Sequence, residues 1–386
     1  MTRDRFATVF DLAEMRLRAR RRLPRMVFDF IDGGADDERT LRENGAALAR
    51  LTFAPRAMTN VRKVSTSLEL FGVPLSMPLL LSPTGLPGLA HPKAELAAAR
   101  AAREAGILFT ASTVSSYSLQ EIASTVAGPH WFQLYAWNDK ALTGKLVDKA
   151  REAGYRMILL TIDTPVVGNR ERDLRNGMVL PPRVTFANVT DMLRRWSWIW
   201  GQIRGPGVKI PNIADLETQV HKGGTGPAGY LKGLFNPEQS WDYIGWIKER
   251  FGGPVGVKGI ITATDARRAR DAGADTIVVS NHGGRQLDGA PATITVLPEI
   301  VEALRGSGMP ILIDSGIRRG SDIVRALALG ATACMIGRPW LWGLAAGGTD
   351  GVRRVIELLR TELERTMALV GATNLRELSP ELIRQP

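Results

Sequence analysis

Short apolar runs alternate with longer amphipathic segments along the chain from about residue 77 onward. The longer segments are rich in Ala, Glu and Arg and repeat their apolar positions at helical spacing, and this alternation is typical of parallel βαβ units. Two predicted helices, 265–272 and 321–329, are each followed by a glycine, as expected at a helix C-terminus. The apolar runs give eight predicted strands: 77–82, 107–111, 130–134, 157–162, 255–257, 276–280, 311–314 and 333–336.

Eight strand–helix repeats favour a closed (β/α)8 barrel, the TIM barrel of the α/β class, over an open doubly wound sheet, and no GxGxxG motif follows the first strand. Such a barrel needs ~250 residues, whereas the chain has 386. We therefore predict one domain over 1–386, with N-terminal helices in 1–76, the barrel in 77–370 and an insertion after the fourth strand in 165–240. Catalytic groups are expected at the C-terminal ends of the strands.

The N-terminal region is predicted to form two or three helices followed by a short extended piece. Its segment FDFIDGGADDERTLRENGAAL contains a Gly-Gly turn and then a helix that Asp36, Asp37 and Glu38 would open, because acidic side chains suit a helix N-terminus. A solvated helix face and an anion site are both consistent with the arginine cluster that precedes this segment. The cluster consists of Arg16, Arg18, Arg20, Arg21, Arg22 and Arg25.

The predicted insertion mixes basic and tryptophan side chains among Gly and Pro residues. This mixture suits a membrane interface, with contact through 190–210, and it equally suits a lid whose tryptophans pack on the barrel mouth. Single-stranded nucleic acid would use the same residue types, but no other feature supports it, so no nucleic-acid partner is predicted. The residues concerned are Arg194, Arg195, Trp196, Trp198, Trp200, Arg204 and Lys209.

The composition is that of an ordinary globular protein, with 44% hydrophobic and 23% charged residues, and it excludes extensive disorder. The net charge of +11 favours binding of polyanions but does not indicate which kind.

The lone Cys334 lies in an apolar run and is predicted to be a buried structural thiol. His91, His130 and His221 lack metal-ligand spacing, so no metal is predicted. Without a signal core or a membrane-spanning stretch, a cytoplasmic protein that can rest on the inner face of the cell membrane is predicted.

The segment VVSNHGGRQLDG, residues 278–289, carries the strongest chemical signal. Its strand ends at Ser280 and delivers His282 and Arg285 to the rim where barrel enzymes hold their active sites. A histidine can take a hydroxyl proton, and a guanidinium can hold a carboxylate through two hydrogen bonds. A structural loop held by a hydrogen-bonded imidazole is the alternative.

Two glycine-arginine turns follow the seventh and eighth predicted strands, where barrels usually bind phosphate. They are DSGIRRG, residues 314–320, and IGRP, residues 336–339. Gly316 and Gly337 would let backbone N–H groups approach an anion, and Arg318 and Arg338 would add charge. These turns predict a phosphate site.

Lys258 ends the fifth predicted strand in VGVKGI and faces the barrel mouth. It could form a Schiff base with a carbonyl substrate, as in a barrel lyase, or stabilise negative charge beside a cofactor ring. A third hypothesis makes the barrel a scaffold for a membrane- or nucleic-acid-binding module without catalysis.

Together with the VKG lysine, the motifs SNHGGRQLDG, TIDTP, WFQLY and DSGIRRGSDIVRALALGA resemble the FMN-dependent 2-hydroxy acid dehydrogenases and oxidases, which include glycolate oxidase, L-lactate dehydrogenase and mandelate dehydrogenase. The resemblance runs from about residue 6 to 383. It implies FMN as cofactor and oxidation of an L-2-hydroxy acid to the 2-oxo acid. It also implies a homotetramer.

The resemblance implies a role for each matching residue. His282 would be the base at the substrate hydroxyl, and Asp163 would orient it. Tyr135, Arg170 and Arg285 would bind the substrate, the two arginines at its carboxylate. The residues that would contact FMN are Pro83, Thr84, Gly85, Ser112, Gln133, Thr161, Lys258, Ser280, Asp314, Gly316, Arg318, Gly337 and Arg338.

One substrate-binding position departs from the commonest family pattern. Phe30 stands where many members carry a tyrosine, so one hydrogen bond to the substrate carboxylate, worth roughly 0.5–1.5 kcal/mol, is absent. Val114 replaces the tryptophan of glycolate oxidases, which would admit a larger side chain. A lactate- or mandelate-type substrate is therefore expected.

The insertion, with its Arg and Trp content and the following NPEQSWDYIGWIK, resembles the membrane-associated relatives and favours a quinone as electron acceptor. A soluble oxidase of the glycolate or hydroxymandelate type, which passes electrons to O2, is the alternative.

Overall fold

Eight parallel strands close into a barrel in the computed structural model, which describes residues 5–178, 185–205, 209–213 and 236–384. The strands in chain order are β1 Thr52–Phe53, β2 Leu68–Leu70, β3 Val73–Leu75, β4 Leu79–Leu81, β5 Leu108–Ser112, β6 His130–Leu134, β7 Met157–Thr161, β8 Val255–Ile260, β9 Thr276–Val279, β10 Ile311–Ile313, β11 Ala333–Ile336 and β12 Ile383–Arg384. Strands β4 to β11 form the barrel in chain order, and β11 pairs with β4 to close it. The predicted (β/α)8 fold is confirmed, and each barrel strand lies on one of the predicted apolar runs.

Helices follow the barrel strands and cover their outer faces. The helices are α1 Leu12–Arg22, α2 Arg25–Asp32, α3 Arg39–Arg50, α4 Ala94–Glu104, α5 Leu119–Thr125, α6 Lys140–Glu152, α7 Glu171–Arg175, α8 Phe186–Leu193, α9 Trp196–Arg204, α10 Asp242–Phe251, α11 Ala263–Asp271, α12 Thr293–Ala303, α13 Gly320–Ala328 and α14 Arg338–Leu369. Both predicted terminating glycines, Gly273 and Gly330, have positive φ. Helix α14 is kinked at Gly347 and Gly348.

The barrel interior is filled with apolar side chains, so the strands enclose a packed core. The β2–β3 hairpin closes the end opposite the C-terminal rim, where the Phe71 ring lies edge-on to the buried Trp131 ring at a centroid distance of 6.0 Å. The other apolar barrel-strand side chains in this cluster are Leu80, Leu108, Met157, Leu159, Val278, Leu312, Ala333 and Met335. Alternate strand residues point outward into the larger core beneath the helices. Cys334 is among those buried residues, as predicted.

The N-terminal region forms three helices, the upper number predicted, and β1 pairs with β12 near the C-terminus. The arginine cluster is not uniformly solvated. Arg20 and Arg21 are exposed, whereas the Arg16 guanidinium binds the buried Asp32 carboxylate through two hydrogen bonds of 2.7 and 2.6 Å. The acidic run also differs from expectation, because α3 begins after it, at Arg39, and Glu38 adopts a left-handed backbone conformation before the helix.

None of the described helices is long and apolar enough to cross a membrane. His221, which belonged to the predicted insertion, lies outside the described residues.

A buried carboxyl group joins α4 to the loop after β5. The Glu95 Oε1 atom accepts a hydrogen bond of 2.6 Å from the Ser116 backbone N–H. Burial raises the Glu95 pKa from 4.5 to about 8, against the lowering effect of the backbone N–H groups. Glu95 therefore holds its proton at neutral pH in the folded protein, while the unfolded chain releases it.

This difference predicts how stability depends on pH. Because the folded carboxyl binds its proton more tightly, its contribution is fully present below pH 4.5 and is lost as pH rises towards 8. The Glu95→Gln variant keeps an acceptor for Ser116 but has no proton to release. We expect it to gain on the order of 4 kcal/mol relative to wild type between pH 5 and pH 8, measured by urea unfolding at both pH values. Parallel pH profiles for the two proteins would contradict this assignment.

Candidate active site

A cavity of about 270 Å³ lies at the C-terminal ends of the barrel strands. The predicted site residues that line it are Phe30, Pro83, Thr84, Gly85, Ser112, Gln133, Tyr135, Thr161, Arg170, Lys258, His282, Arg285, Asp314, Gly316, Arg318, Gly337 and Arg338. Asp163 and Ser280 do not line the cavity but stand behind residues that do. All predicted site residues thus converge on one place, because the parallel strands end at one rim.

His282 follows β9 and is oriented by a carboxylate that follows β7. Its Nδ1 atom lies 2.8 Å from Asp163 Oδ1. Burial would raise the Asp163 pKa, but His282 and the Lys258 ammonium lower it by more, so the net shift is downward and Asp163 is ionised at neutral pH. An ionised carboxylate at Nδ1 leaves Nε2 as the ring nitrogen able to accept a proton.

A β-bulge brings Asp163 close to the strand that carries Lys258. The register between β8 and β9 shifts between Lys258 and Ile260, and Gly259 in the bulge has a φ of +110°. A Cβ atom on Gly259 would lie 2.7 Å from the Asp163 Cβ atom. Only glycine fits here without displacing the carboxylate that holds His282.

Arg285 is held in the cavity wall by the N-terminal region. Its Nη1 atom donates to the Phe30 and Gly33 carbonyls at 2.7 and 3.0 Å, and its guanidinium lies 5.3 Å from the centre of the Phe30 ring. Burial, with the nearby Arg170 and Arg338, lowers the Arg285 pKa well below its usual value. Arg170 also lines the cavity, and its buried Nε has no hydrogen-bond partner among the described residues. Two such guanidiniums form a site for a small anion.

The two glycine-arginine turns lie side by side, as expected for a phosphate site. Gly316 has a φ of +97°, and a Cβ atom there would lie 2.6 Å from the Asn44 carbonyl oxygen. Arg338 donates to the Asp32, Gly283 and Gly33 carbonyls at 2.7–3.1 Å. Burial lowers the pKa values of Arg318 and Arg338 to about 10, so both remain cationic at neutral pH.

Lys258 forms a buried ion pair. Its Nζ atom lies 2.8 Å from Asp314 Oδ2 and donates to Ser280 Oγ at 2.7 Å. Burial lowers the Lys258 pKa, but Asp314 and Asp163 raise it by more, and the net shift is upward. Since a Schiff base requires the neutral amine, this environment favours the charge-stabilising role of Lys258 over the lyase role.

Buried polar atoms without a hydrogen-bond partner among the described residues line the cavity. They are Ser82 Oγ, Thr84 Oγ1, Gln133 Nε2 and Thr161 Oγ1. Each such atom costs about 1–3 kcal/mol when it is left unpaired, so their clustering indicates a polar ligand. A flavin with its polar ring edge, ribityl hydroxyls and phosphate suits these atoms and the adjacent cationic turns. The residues present therefore fit FMN.

Several lining residues were not predicted. Most are neighbours of predicted ones along the chain, such as Ser82, Gly283 and Ser315, and the rule that strand ends form the site could have found them. Ile210 lies within the insertion, and no local pattern marks it. The full set is Ile31, Ser82, Leu86, Val167, Ile210, Gly283, Ser315, Ile317, Met335, Ile336 and Leu341. Val114, expected to shape the pocket, also lines it.

The fold and site define a (β/α)8-barrel enzyme with a buried cationic pocket for an anionic cofactor. The sequence profile of the family described as FMN-dependent dehydrogenase matches residues 19–385. The chain belongs to this family, and its cofactor is FMN.

Individual relatives match over nearly their full lengths. L-lactate oxidase from Nostoc sp. is 42% identical over 97% of both chains. Glycolate oxidase 3 from Arabidopsis thaliana is 42% identical over 94% of this chain and 92% of its own length. The crystal structure of the monotopic membrane protein (S)-mandelate dehydrogenase superposes with a TM-score of 0.89 and 37% identity, covering 98% of this chain and all of that one.

The residues assigned to FMN binding and the residues assigned to the reaction should respond differently to substitution. Arg318→Ala removes a buried cation from the predicted phosphate site and is expected to raise the Kd for FMN by about 10- to 100-fold, since a hydrogen bond to a charged group contributes ~1.5–3 kcal/mol. His282→Ala should retain FMN but lose turnover. Flavin absorbance after gel filtration measures retention. Equal FMN loss from both variants would show that the two groups of residues are not separate.

Proposed function

We propose that this FMN-dependent enzyme oxidises an L-2-hydroxy acid of the lactate or mandelate type to the 2-oxo acid, with His282 as the base. Oxidation of a 2-hydroxy acid is common to the relatives named above. The observation that carries the proposal is the joint placement of His282, held by Asp163, and Arg285 in one cavity. A base and a carboxylate-binding cation at fixed positions are what a 2-hydroxy acid requires.

Each residue performs a separable task. Arg285 and Arg170 bind the substrate carboxylate, which fixes the neighbouring carbon within the cavity. His282 Nε2 accepts the hydroxyl proton, and the ionised Asp163 stabilises the imidazolium that forms. Tyr135 lines the same cavity, and burial raises its pKa, so it stays protonated and can donate a hydrogen bond to the substrate. When bound, FMN supplies the two-electron acceptor that forming a carbonyl requires.

The cavity walls support a substrate with an apolar side chain. Phe30, Leu86, Val114, Val167 and Ile210 all line it. A substrate as small as glycolate would leave this apolar surface uncovered, whereas a methyl or phenyl group would bury it at about 25 cal/mol per Å². We therefore favour lactate- or mandelate-type substrates over glycolate.

Anaerobic flavin reduction tests both the reaction and the substrate. Compared with glycolate, addition of L-lactate to the holoenzyme should bleach the visible flavin absorbance about fourfold faster, because one buried methyl group contributes ~0.8 kcal/mol. L-mandelate should bleach it at least about tenfold faster, because a buried phenyl group contributes ~1.5–3 kcal/mol. The D-enantiomers serve as controls. Reoxidation of the bleached enzyme then compares a short-chain quinone with air-saturated buffer. Absence of bleaching by every L-2-hydroxy acid would refute the proposed reaction, and borohydride trapping of a substrate on Lys258 would establish the lyase instead.

The insertion presents an apolar surface to solvent. Helix α8 exposes Phe186 and Leu193, and helix α9 exposes Trp196, Trp200 and Ile203. Arg204 lies 4.7 Å from the centre of the Trp200 ring, so cationic and aromatic groups alternate as they do at membrane interfaces. We call these five apolar side chains the α8–α9 patch.

The lid and membrane-interface interpretations of the insertion apply to different tryptophans. Trp198 Nε1 donates to the Leu89 carbonyl at 2.7 Å, and Gln202 Nε2 donates to the Gly88 carbonyl at 2.9 Å, so this face of α9 packs on the barrel as a lid would. Trp196 and Trp200 lie on the α8–α9 patch. We propose that the part of this patch within 190–210 rests on the cytoplasmic face of the cell membrane. We also propose that a membrane quinone accepts the electrons and that the enzyme is a homotetramer.

The mandelate dehydrogenase neighbour is described as a monotopic membrane protein, which supports the membrane proposal. The lactate and glycolate oxidases among the relatives support the alternative, a soluble oxidase that uses O2.

Sedimentation with anionic phospholipid vesicles tests the patch. Replacing Leu193, Trp196 and Trp200 together by serine is expected to lower the vesicle-bound fraction at least about tenfold, since each buried large apolar side chain contributes ~1.5–3 kcal/mol. A Met58→Ser, Leu369→Ser double variant is the control, because it removes exposed apolar side chains from other elements. An equal loss of binding in both variants, or none in either, would argue against the patch as the contact.

A further inference from the structure

The turn that carries His282 has an unusual backbone conformation. His282, Gly283 and Gly284 have φ values of +56°, +66° and +70°, so three consecutive residues are left-handed. Glycine adopts this conformation freely, but histidine does not, and such a turn persists only when its surroundings hold it. The position of His282 therefore depends on the groups that bind the backbone of this turn.

The first two N–H groups of the turn are bound by serine side chains. Ser280 Oγ accepts from the His282 N–H at 3.1 Å, and Ser315 Oγ accepts from the Gly283 N–H at 3.0 Å. Ser280 follows β9 and Ser315 follows β10, and the C-terminal ends of both strands also contribute residues to the cavity. These bonds fix the start of the turn.

The third N–H group, on Gly284, is bound by Asn281. It donates to the Asn281 side-chain Oδ1 at 3.2 Å as well as to the Asn281 backbone carbonyl at 3.0 Å. The Asn281 side chain is buried, and an amide could be flipped without any change of shape. Something outside the turn must therefore fix which end of this amide faces Gly284.

Asn44 on α3 supplies that constraint. Its Nδ2 donates to Asn281 Oδ1 at 2.9 Å, and Asn281 Nδ2 donates back to Asn44 Oδ1 at 2.8 Å. Asn281 Nδ2 also donates to the Pro291 carbonyl at 3.0 Å. The Pro291 carbonyl requires the donor end of the Asn281 amide, and the Thr293 N–H, which donates to Asn44 Oδ1 at 3.4 Å, requires the acceptor end of the Asn44 amide. The pair and these two contacts together fix both amides, and the Asn281 oxygen then points to the Gly284 N–H.

The same region of the N-terminal segment contacts the turn directly. The Gly284 carbonyl accepts from the Ala35 N–H at 2.8 Å, and a Cβ atom on Gly284 would lie 2.5 Å from the Leu41 backbone nitrogen. Helix α3 therefore lies against the turn, and Asn44 connects the two through side chains.

We infer that Asn44 is a positioning residue for the oxidation reaction: through Asn281 it holds the left-handed turn that presents His282 and Arg285 to the cavity. The inference rests on the proposed roles of His282 and Arg285. Asn44 does not line the cavity, and its side chain reaches the turn through Asn281.

The Asn44→Asp variant tests this inference in the holoenzyme. Aspartate has the same shape and still accepts from Asn281 Nδ2, but an ionised carboxylate cannot donate to Asn281 Oδ1. We expect amide hydrogen exchange in the peptide covering 281–287 to accelerate at least about tenfold while the barrel strands stay protected. The rate constant of anaerobic flavin reduction should fall by about 10- to 100-fold with FMN still bound, because a small misplacement of a base has effects of that size.

Thr40→Val is the matched control. Thr40 is buried on the same helix, and its Oγ1 donates to the Ala290 carbonyl at 3.0 Å, so the variant removes one buried hydrogen bond between α3 and the same connecting segment without touching Asn281. It should leave exchange in 281–287 and the reduction rate close to wild type. If Asn44→Asp does not fold, Asn44→Ser, which is shorter and uncharged, takes its place.

The outcomes separate this inference from the proposed function. Unchanged exchange in 281–287, or equal effects in the Asn44 and Thr40 variants, overturns the positioning role. A wild-type flavin that no L-2-hydroxy acid bleaches overturns the proposed function instead, and the exchange measurement still reports whether Asn44 holds the turn.

Discussion

The structure depends on a concentration of buried positive charge at the rim of the barrel. Arg170, Arg285, Arg318, Arg338 and Lys258 line one cavity, and Asp314 is the acidic residue among the described lining residues. Burying cations is costly unless they are paired or hydrogen-bonded. The excess of cations becomes favourable when anions occupy the cavity, and FMN phosphate and a substrate carboxylate are such anions. The same cations that are costly to bury therefore make the cavity suitable for binding anions.

Much of the compensation for this charge comes from backbone carbonyls of the N-terminal region. The Phe30, Asp32 and Gly33 carbonyls accept hydrogen bonds from Arg285 and Arg338. Carbonyl groups orient the guanidiniums but carry no net charge, so they leave the cavity attractive to anions. The Asp32 carboxylate is bound to Arg16, and its charge also acts against the effect of burial on the pKa values of Arg318 and Arg338. The N-terminal region thus holds the arginines in place through carbonyl groups and compensates only part of their charge through carboxylates.

These features separate what the sequence could predict from what it could not. Barrel strands are recognisable as apolar runs, and the rule that site residues follow strand ends located His282, Lys258 and Gly316 without any knowledge of contacts. The family resemblance was needed for Gln133 and Asp314. Hydrogen bonds to backbone carbonyls cannot be predicted in this way, because every residue has a carbonyl group. Nothing in the sequence therefore indicated that the Phe30 and Gly33 carbonyls bind Arg285. Asn44 is likewise an ordinary polar residue of a helix until its partner Asn281 is placed against it. The prediction that Asp36, Asp37 and Glu38 open a helix was wrong, because the Glu38 carboxylate instead accepts a hydrogen bond from the Gly34 N–H and forms an ion pair with Arg172.

The insertion shows why one composition supported two interpretations. Tryptophan has an apolar ring and a single N–H donor, so it suits both a protein contact and a membrane interface. Trp198 and Gln202 anchor α9 to the 88–89 carbonyls, a few residues beyond the Pro83, Thr84 and Gly85 wall of the cavity. Ile210, a few residues past α9, is itself part of the cavity wall. Helices α8 and α9 do not themselves line the cavity, but α9 packs on the segment that follows the Pro83–Gly85 wall, and Ile210 follows α9 along the chain. The proposed membrane contact is therefore connected to the cofactor pocket through the segments that adjoin α9 along the chain and in space, and not through the patch side chains themselves.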